Sequence, residues 1–407
     1  MTILGLIGII VGLFAIPVAF TQPTRLKVVY MTVIYAIHVA ACLVYFWRAQ
    51  EGSADSAMYY YDPFQNYQDG FNVGTQGLIF VIQYVRDTVG GTYLDFYLLF
   101  QAIGFFGVTV LLRVLEEIHD ELRIPHRPYL YALMAIPSLH FWSSALGKDG
   151  PFLLAVSLAL WASMRLPSRA KALVAALLLM LFIRPHIALV AGAALSLAVV
   201  VGKGIPAYLR IGLFLVAVAG TGLAATTLES AYAIDITSAE SIGQQFERRD
   251  NVLNSEDAGT SAVNASFPVR LLSLMFRPLF FDANELFALI ASFESLLVLW
   301  MVLVLLWRSR DVFSLFRNVF YARYALIFSL GLTIFLAISY WNVGLGLRQK
   351  WTMLMPMYLG LFVTVMAVRR AKKRNAAEPA PREMFLGYPT ADPLRPQVRP
   401  PFATHRG

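Results

Sequence analysis

The fold class this sequence predicts is an all-α polytopic membrane protein, with about eleven transmembrane helices and interfacial helices in two long outer loops. Three observations lead there. Of the 407 residues, 58% are hydrophobic and only 14% are charged, where soluble domains carry about 25% charged residues. The mean hydropathy is positive, at +0.62. The apolar residues also gather into runs near the roughly 17–25 residues that a bilayer crossing demands. Such a chain takes lipid as the solvent for most of its length.

Eight runs stand clear, at residues 3–20, 28–46, 93–115, 128–146, 209–227, 286–307, 325–340 and 351–368. Between 151 and 201 the chain is apolar but broken twice, at the charged stretch 165–171 and at Arg184-Pro185-His186. That leaves three short spans, at 151–164, 172–183 and 188–201. Each falls below a full crossing, so neighbouring helices or polar turns must complete it. If 172–201 were instead one kinked helix, everything before it would change sides.

Lys and Arg set the orientation, because cytoplasmic loops accumulate them. With the segment after Val368 in the cytoplasm, alternating backwards puts well over half of the 33 Lys and Arg on that side. The N-terminus is then outside and the C-terminus cytoplasmic, in a bacterial inner (cytoplasmic) membrane. The net charge of +8 reflects this topology, and no nucleic-acid partner is expected. The first run lacks a basic flank and a small-residue cleavage site, so it reads as a retained span and not a signal peptide. The single cysteine, Cys42, lies in an apolar run and excludes an internal disulfide or a thiolate metal cluster.

Residues 1–370 form the transmembrane domain, with outer loops at 47–92 and 228–285. Each loop holds an apolar stretch too short to span, 78–86 and 267–278, which reads as a helix lying in the interface. Residues 371–407 are rich in proline and read as a disordered cytoplasmic tail.

The candidate chemistry lies in the breaks between spans. In Lys148-Asp149-Gly150-Pro151, Asp149 as N-cap and Pro151 near the first turn make a good helix start. A helix N-terminus beside a lysine is also an anion site; the plain alternative is a capped turn whose lysine reaches lipid headgroups. Arg184 falls between two short spans, where a guanidinium needs a partner, a watered cavity or a snorkelling path. His186, beside Pro185, is as much a turn residue as a site residue. Arg277-Pro278 has Asp282 and Glu285 close behind. Arg348 and Lys350 fall in the last outer loop, 342–350, whose glycines Gly344 and Gly346 permit close backbone approach. Four loops thus each bring a cation to one face, which points to an anionic ligand, phosphate or pyrophosphate first.

Carboxylates in the first outer loop, Asp62 and Asp69, complement them as a general base or as ligands of a divalent cation. Their spacing forms no metal motif, so no cofactor is expected and a divalent cation is left open. Tyr59, Tyr60, Tyr61 and Tyr67 anchor the interface or form a platform for a sugar ring. His140 and Glu294, inside spans, need partners. No P-loop or Gly-rich dinucleotide turn is present, so the donor is read as a lipid-linked phosphate and not a cytoplasmic nucleotide.

Four stretches carry a resemblance: Pro137-Ser138-Leu139-His140-Phe141-Trp142-Ser143-Ser144-Ala145-Leu146-Gly147-Lys148-Asp149, Phe182-Ile183-Arg184-Pro185, Phe276-Arg277-Pro278-Leu279, and Asn342 through Lys350. With the layout of spans over 59–361, the chain resembles bacterial multi-pass glycan enzymes that face the periplasm, the O-antigen-type polymerases and the C-type membrane glycosyltransferases. The resemblance implies transfer of a glycan from a polyprenyl-(pyro)phosphate carrier to an acceptor hydroxyl, in surface polysaccharide biosynthesis. It implies membrane lipids and polysaccharide assembly proteins as partners. Lys148, Asp149, Arg184, Arg277, Arg348 and Lys350 would hold the phosphates, and Asp62, Asp69, His140 or His186 would deprotonate the hydroxyl. C-type enzymes carry an acid in the first outer loop; here that loop follows the second span, which leaves the choice between the two families open. In the polymerase reading arginines dominate and no metal is needed. The alternative function is a transporter or flippase for a lipid-linked or anionic substrate, which predicts internal repeats; the sequence has interrupted spans and no repeat.

Overall fold

A computed structural model describes residues 2–52, 54–61, 71–125, 128–202, 265–283, 285–338 and 343–377, with scattered helical positions between 207 and 222. Helices build all of it; among the described residues there is no strand. In chain order they are α1 (Ile3–Ala15), α2 (Arg25–Glu51), α3 (Asp55–Tyr61), α4 (Thr75–Val89), α5 (Tyr93–Glu121), α6 (Tyr129–Met134), α7 (Pro137–Ser143) and α8 (Asp149–Met164). Then come α9 (Leu166–Ile183), α10 (Pro185–Val200), α11 (Phe267–Phe276), α12 (Leu286–Trp307), α13 (Ser309–Asn318), α14 (Phe320–Ile338), α15 (Val343–Gln349) and α16 (Met355–Ala377). A wide π turn, Lys350–Leu354, joins the last two. Six segments are long and apolar enough to cross a bilayer: α2, α5, α9, α12, α14 and the continuous run Val343–Arg374. The chain is a multi-pass membrane protein.

Several expected boundaries are corrected, each for a local reason. Of the eleven expected spans, the described residues show six helices long and apolar enough to cross; α8, α10 and the first helix with its 3₁₀ extension, Ile3–Ala19, are apolar but shorter, as is α11. The run 128–146 is not one span. Pro137 cannot continue a helix from the preceding turn, so α6 ends at Met134 and α7 starts afresh after an extended Ile136. The expected break at 165–171 is present but narrow: α8 ends at Met164 and Arg165 is non-helical, while 166–171 already form the first turns of α9, opened by Pro167 and kinked at Arg169. The outer loop 342–350 is helical over α15 and runs straight into the last span, carrying Arg348 and Lys350 on helix. Residues 371–377 likewise continue α16 and do not enter a tail. The expected interfacial segments are helices, α4 and α11, neither long enough to span. The span 209–227 falls largely outside the described residues; so does most of the second outer loop, and 378–407 lies wholly outside them.

The core forms around α5, which packs on α1, α2 and α8, while α8 packs in turn on α9 and on the last helix. In lipid, helices associate through close packing more than through hydrophobic drive, and glycines supply it here. A Cβ added at Gly104 would collide with the Ser143 carbonyl and then meet Gly150, so the α5 and α8 backbones touch. Asp95 closes a capping box with Thr92 and also accepts the Thr2 amide at 2.8 Å, which ties α1 to the start of α5.

Two ends of the bundle can be told apart. At one end Arg165 pairs with Glu121 at 3.1 Å, Lys372 pairs with Asp311 at 2.8 Å, and Arg374 donates to the Leu122 and Arg123 carbonyls. The start of α8 lies about 24 Å away, by the rise of its 16 residues. The start of α9 joins the first end through Arg169 and Glu117; α10 returns to it, its Ala198 carbonyl accepting from Arg323 at 3.1 Å. Residues 166–200 are therefore an antiparallel hairpin, and Arg184 is its tip.

Candidate functional site

The tip of that hairpin meets the start of α8. Gly147 turns the chain there with a positive φ of 150°, a conformation that glycine adopts freely. Lys148 then stands at the N-cap position without making a cap bond, and Asp149 is the first helical residue. The expected cap role of Asp149 is thus corrected, because its carboxylate is taken by stronger donors. Arg184 Nη2 donates to Oδ1 at 2.9 Å, Arg348 Nε donates to Oδ2, and the Thr352 hydroxyl lies 3.5 Å from Oδ1. Two guanidiniums on one carboxylate outweigh a backbone amide.

Arg348 also donates from Nη1 to Asp55 Oδ2 at 2.7 Å. The two acids differ in access: the Asp149 side chain is 3% exposed and that of Asp55 58%. Partial burial pushes the Asp55 carboxyl up, but the Arg348 guanidinium more than offsets this and holds it below the usual carboxylate value. Asp55 is aimed by α3, whose Ser56 hydroxyl is buried and accepts from Tyr93 at 2.7 Å and Tyr97 at 2.6 Å. Tyr59, one turn on, is buried against Gly147, and burial pushes its hydroxyl pKa up.

Lys148 completes the cluster. Its amine is half-buried and donates to the Thr75 hydroxyl on α4. Burial, with Arg184 and Arg348 nearby, lowers it to about 7, against an opposing pull from Asp149 and Asp55. The site therefore gathers three basic side chains on two carboxylates. Arg184 Nε is buried with no acceptor among the described residues, and a guanidinium offers five N–H donors in all. Such an open N–H can donate to an oxyanion.

Beside it lies a cavity of about 690 Å³ between α2, α7, α12 and α15, lined by Ile37, Val44, Phe141, Trp142, Phe287 and Leu347 among others. Ile37, Val44 and Phe287 are exposed at its mouth. Tyr45 links the two features: it lines the cavity and lies within electrostatic reach of Arg348 and Asp149.

Among the described residues, the other expected site residues lie outside the cluster, although His140 and Asp282, the partner of Arg277, line the cavity. Asp62 and Asp69 lie outside the described residues. His140 is fully buried, with Nε2 2.6 Å from the Met134 carbonyl and Nδ1 2.9 Å from His38 Nδ1; His38 Nε2 reaches the Gln101 carbonyl at 2.9 Å. Both nitrogens of His140 are engaged, so it joins α2, α5 and α7 at the wall of the cavity. His186 stacks on Phe335, ring centroids 5.9 Å apart, while Arg184 turns the other way to Asp149. Arg277 pairs with Asp282, whose carboxylate also accepts the Leu279 amide at 2.8 Å. Lys350 is fully buried, its amine on the Met275 and Arg277 carbonyls and the Ser295 hydroxyl. It fastens α11 and α12 to the last helix and offers nothing to a phosphate. Glu294 accepts the Ser138 amide at 2.8 Å, the helix-to-helix role its depth called for.

The residues that sequence reasoning missed are Asp55, Tyr45, Thr75 and Thr352. Asp55 lies on the loop already singled out for its acids, but nothing in its spacing distinguishes it from Asp62. No known family, curated protein or solved structure matches the chain.

Proposed function

We propose that this protein is a membrane glycosyltransferase or polymerase that moves a glycan from a polyprenyl-(pyro)phosphate carrier to an acceptor hydroxyl, at the periplasmic face of a bacterial inner membrane. The observation that carries the reading is the meeting of Lys148, Arg184 and Arg348 around Asp149, beside an apolar cavity open at its side. A lipid-linked phosphate has the matching shape: an anionic head and a long apolar chain. Arginine forks suit phosphate oxygens, and fixed donors aimed at the leaving phosphate stabilise the charge that develops there. Lys350, buried on the Met275 and Arg277 carbonyls and the Ser295 hydroxyl, is left out of the proposed phosphate-binding set; Arg277, paired with Asp282 as Arg184 is with Asp149, remains in it. A role for Asp62 or Asp69 as a ligand of a divalent cation stays part of the proposal.

The test is binding of undecaprenyl phosphate to the purified protein in nanodiscs, read by native mass spectrometry, alongside glycan extension in membranes. Wild type binds and extends; Arg184→Ala and Arg348→Ala lose both at unchanged abundance. Wild-type extension in both variants would sink the reading. Lipid movement across proteoliposomes without glycan transfer would replace the transferase by a carrier.

A further inference from the structure

Of the three basic side chains in the cluster, two have carboxylates and one has none. Arg184 and Arg348 share both oxygens of Asp149, and Arg348 also takes Asp55. Lys148 is left with the Thr75 hydroxyl and, among the described residues, forms no ion pair. The charged and titratable groups in reach of it are Arg184 from the hairpin tip, Arg348 from α15, Asp149 from α8 and Asp55 from α3, with Tyr59 and Tyr45 behind them. Two guanidiniums against two carboxylates make a neutral set without the lysine. A protonated amine there would add an uncompensated charge in a half-buried place.

We propose that Lys148 is the proton acceptor of this site, taking the proton of the acceptor hydroxyl while Arg184 and Arg348 hold the leaving phosphate. The inference rests on the transferase reading. The Nζ lone pair bonds to the hydroxyl proton, and the freed oxygen pair attacks the anomeric carbon of the donor sugar. The bond from that carbon to the phosphate oxygen breaks, and its electron pair stays on the phosphate. An ammonium thus appears as the leaving group gains a negative charge, and each stabilises the other. Lys148 then passes its proton to water. The amine lies near the pH at which a general base is most effective, whereas an ordinary lysine titrates near 10.4.

Two measurements test this on the full-length protein in nanodiscs. The first is trace labelling by acetic anhydride across pH 5–11, with the Lys148 peptide quantified by mass spectrometry. A labelling midpoint near 7 is expected for Lys148; a midpoint above about 9 overturns the proposal whatever the activity. The second compares Lys148→Arg with wild type for binding of undecaprenyl phosphate and for glycan transfer. Arginine is charged throughout and cannot take up a proton, so phosphate binding is expected to hold or tighten while transfer falls at least a hundredfold. In wild type, kcat/KM is expected to rise with pH through the labelling midpoint. Transfer retained in Lys148→Arg overturns the base role and leaves the transferase reading intact. Absence of transfer by wild type overturns the transferase reading, and this role with it.

Discussion

Charge is gathered at both ends of the helix pair α5 and α8, and the two gatherings are built differently. At the end where α9 begins, Glu117 accepts from Arg113 at 2.7 Å, from Arg169 at 2.8 Å and from the Trp161 indole at 3.1 Å. Arg169 also lies over the Trp161 ring, 3.9 Å from its centroid. Arg165 has Glu121, Lys27 has Glu116, and Thr21 donates to Asp120. Most cations there have an acid, while Arg374 donates only to carbonyls and Arg370 Nη1, beside the Tyr129 ring, is buried with no acceptor among the described residues. At the Asp149 end one lysine is left over and one guanidinium N–H points at nothing described. A closed network fixes helices to one another; an open one retains donors for something that arrives. Neither buried charge nor one unmatched N–H is therefore a mark of a site by itself; what sets the Asp149 end apart is a lysine without a carboxylate beside an apolar cavity.

Substitutions at the two ends should separate these roles. The largest effect is expected from Asp149→Ala, which leaves Arg184 and Arg348 facing each other. Breaking a buried pair of this kind costs about 3–5 kcal/mol, seen as a fall of several degrees in the thermal midpoint of the detergent-solubilised protein. Glu117→Gln keeps the shape of the closed network and removes its charge. Hydrogen bonds to charged groups contribute about 1.5–3 kcal/mol each, so stability should drop while undecaprenyl phosphate still binds as in wild type. Loss of that binding would erase the distinction between the ends. Arg184→Gln makes the converse case: a ten- to hundredfold weaker phosphate affinity, for the same roughly 1.5–3 kcal/mol, with a smaller change in thermal midpoint than Asp149→Ala.

Smaller effects sharpen the contrast further. The folded state holds the Lys148 amine near 7, below the value of about 10.4 in an unfolded chain. Between those pH values the unfolded chain binds the extra proton, so this residue's contribution to stability rises with pH. Below 7 its cost is constant. Lys148→Met should flatten that rise in a thermal-midpoint series from pH 6 to 10. Last, the exposed Arg48–Glu285 pair, 3.8 Å apart, should be worth no more than about 1 kcal/mol, so Arg48→Ala should scarcely move the midpoint.

Much of the fold could be read in advance because lipid leaves so plain a mark. The run 286–307 coincides with α12, and α5 begins at Tyr93 as expected. What escaped was decided by local stereochemistry or by distant partners. Pro137 breaks a run whose hydropathy is continuous, and Gly344 and Gly346 fail to break one because α15 is held by the helices around it. In the site, Lys148, Asp149, Arg184 and Arg348 were legible as charges out of place in an apolar chain. Their grouping was not: Asp149 and Arg348 are 199 positions apart, and no periodicity spans that distance. Lys350 bore the same signature and is a fastening between helices, since depth shows that a charge needs a partner without showing which one.

That separation has a consequence for how the protein enters the membrane. Asp149 and Arg184, 35 positions apart, are synthesised nearly together, on helices that lie against one another. A charge at the end of an inserting helix costs less than the roughly 2.5–3.5 kcal/mol it would cost at the centre, and a carboxylate and guanidinium presented as a pair cancel part of that cost for α8, α9 and α10. Arg348 is made last of the three and joins a pair already seated, bringing Asp55 from near the other end of the chain onto the same guanidinium. Nascent chains arrested before residue 343 should therefore insert α8 to α10 normally, while Arg184→Ala in the same arrested chains lowers their insertion. The salt bridge at the hairpin tip is then a chaperone in cis as well as the floor of the site.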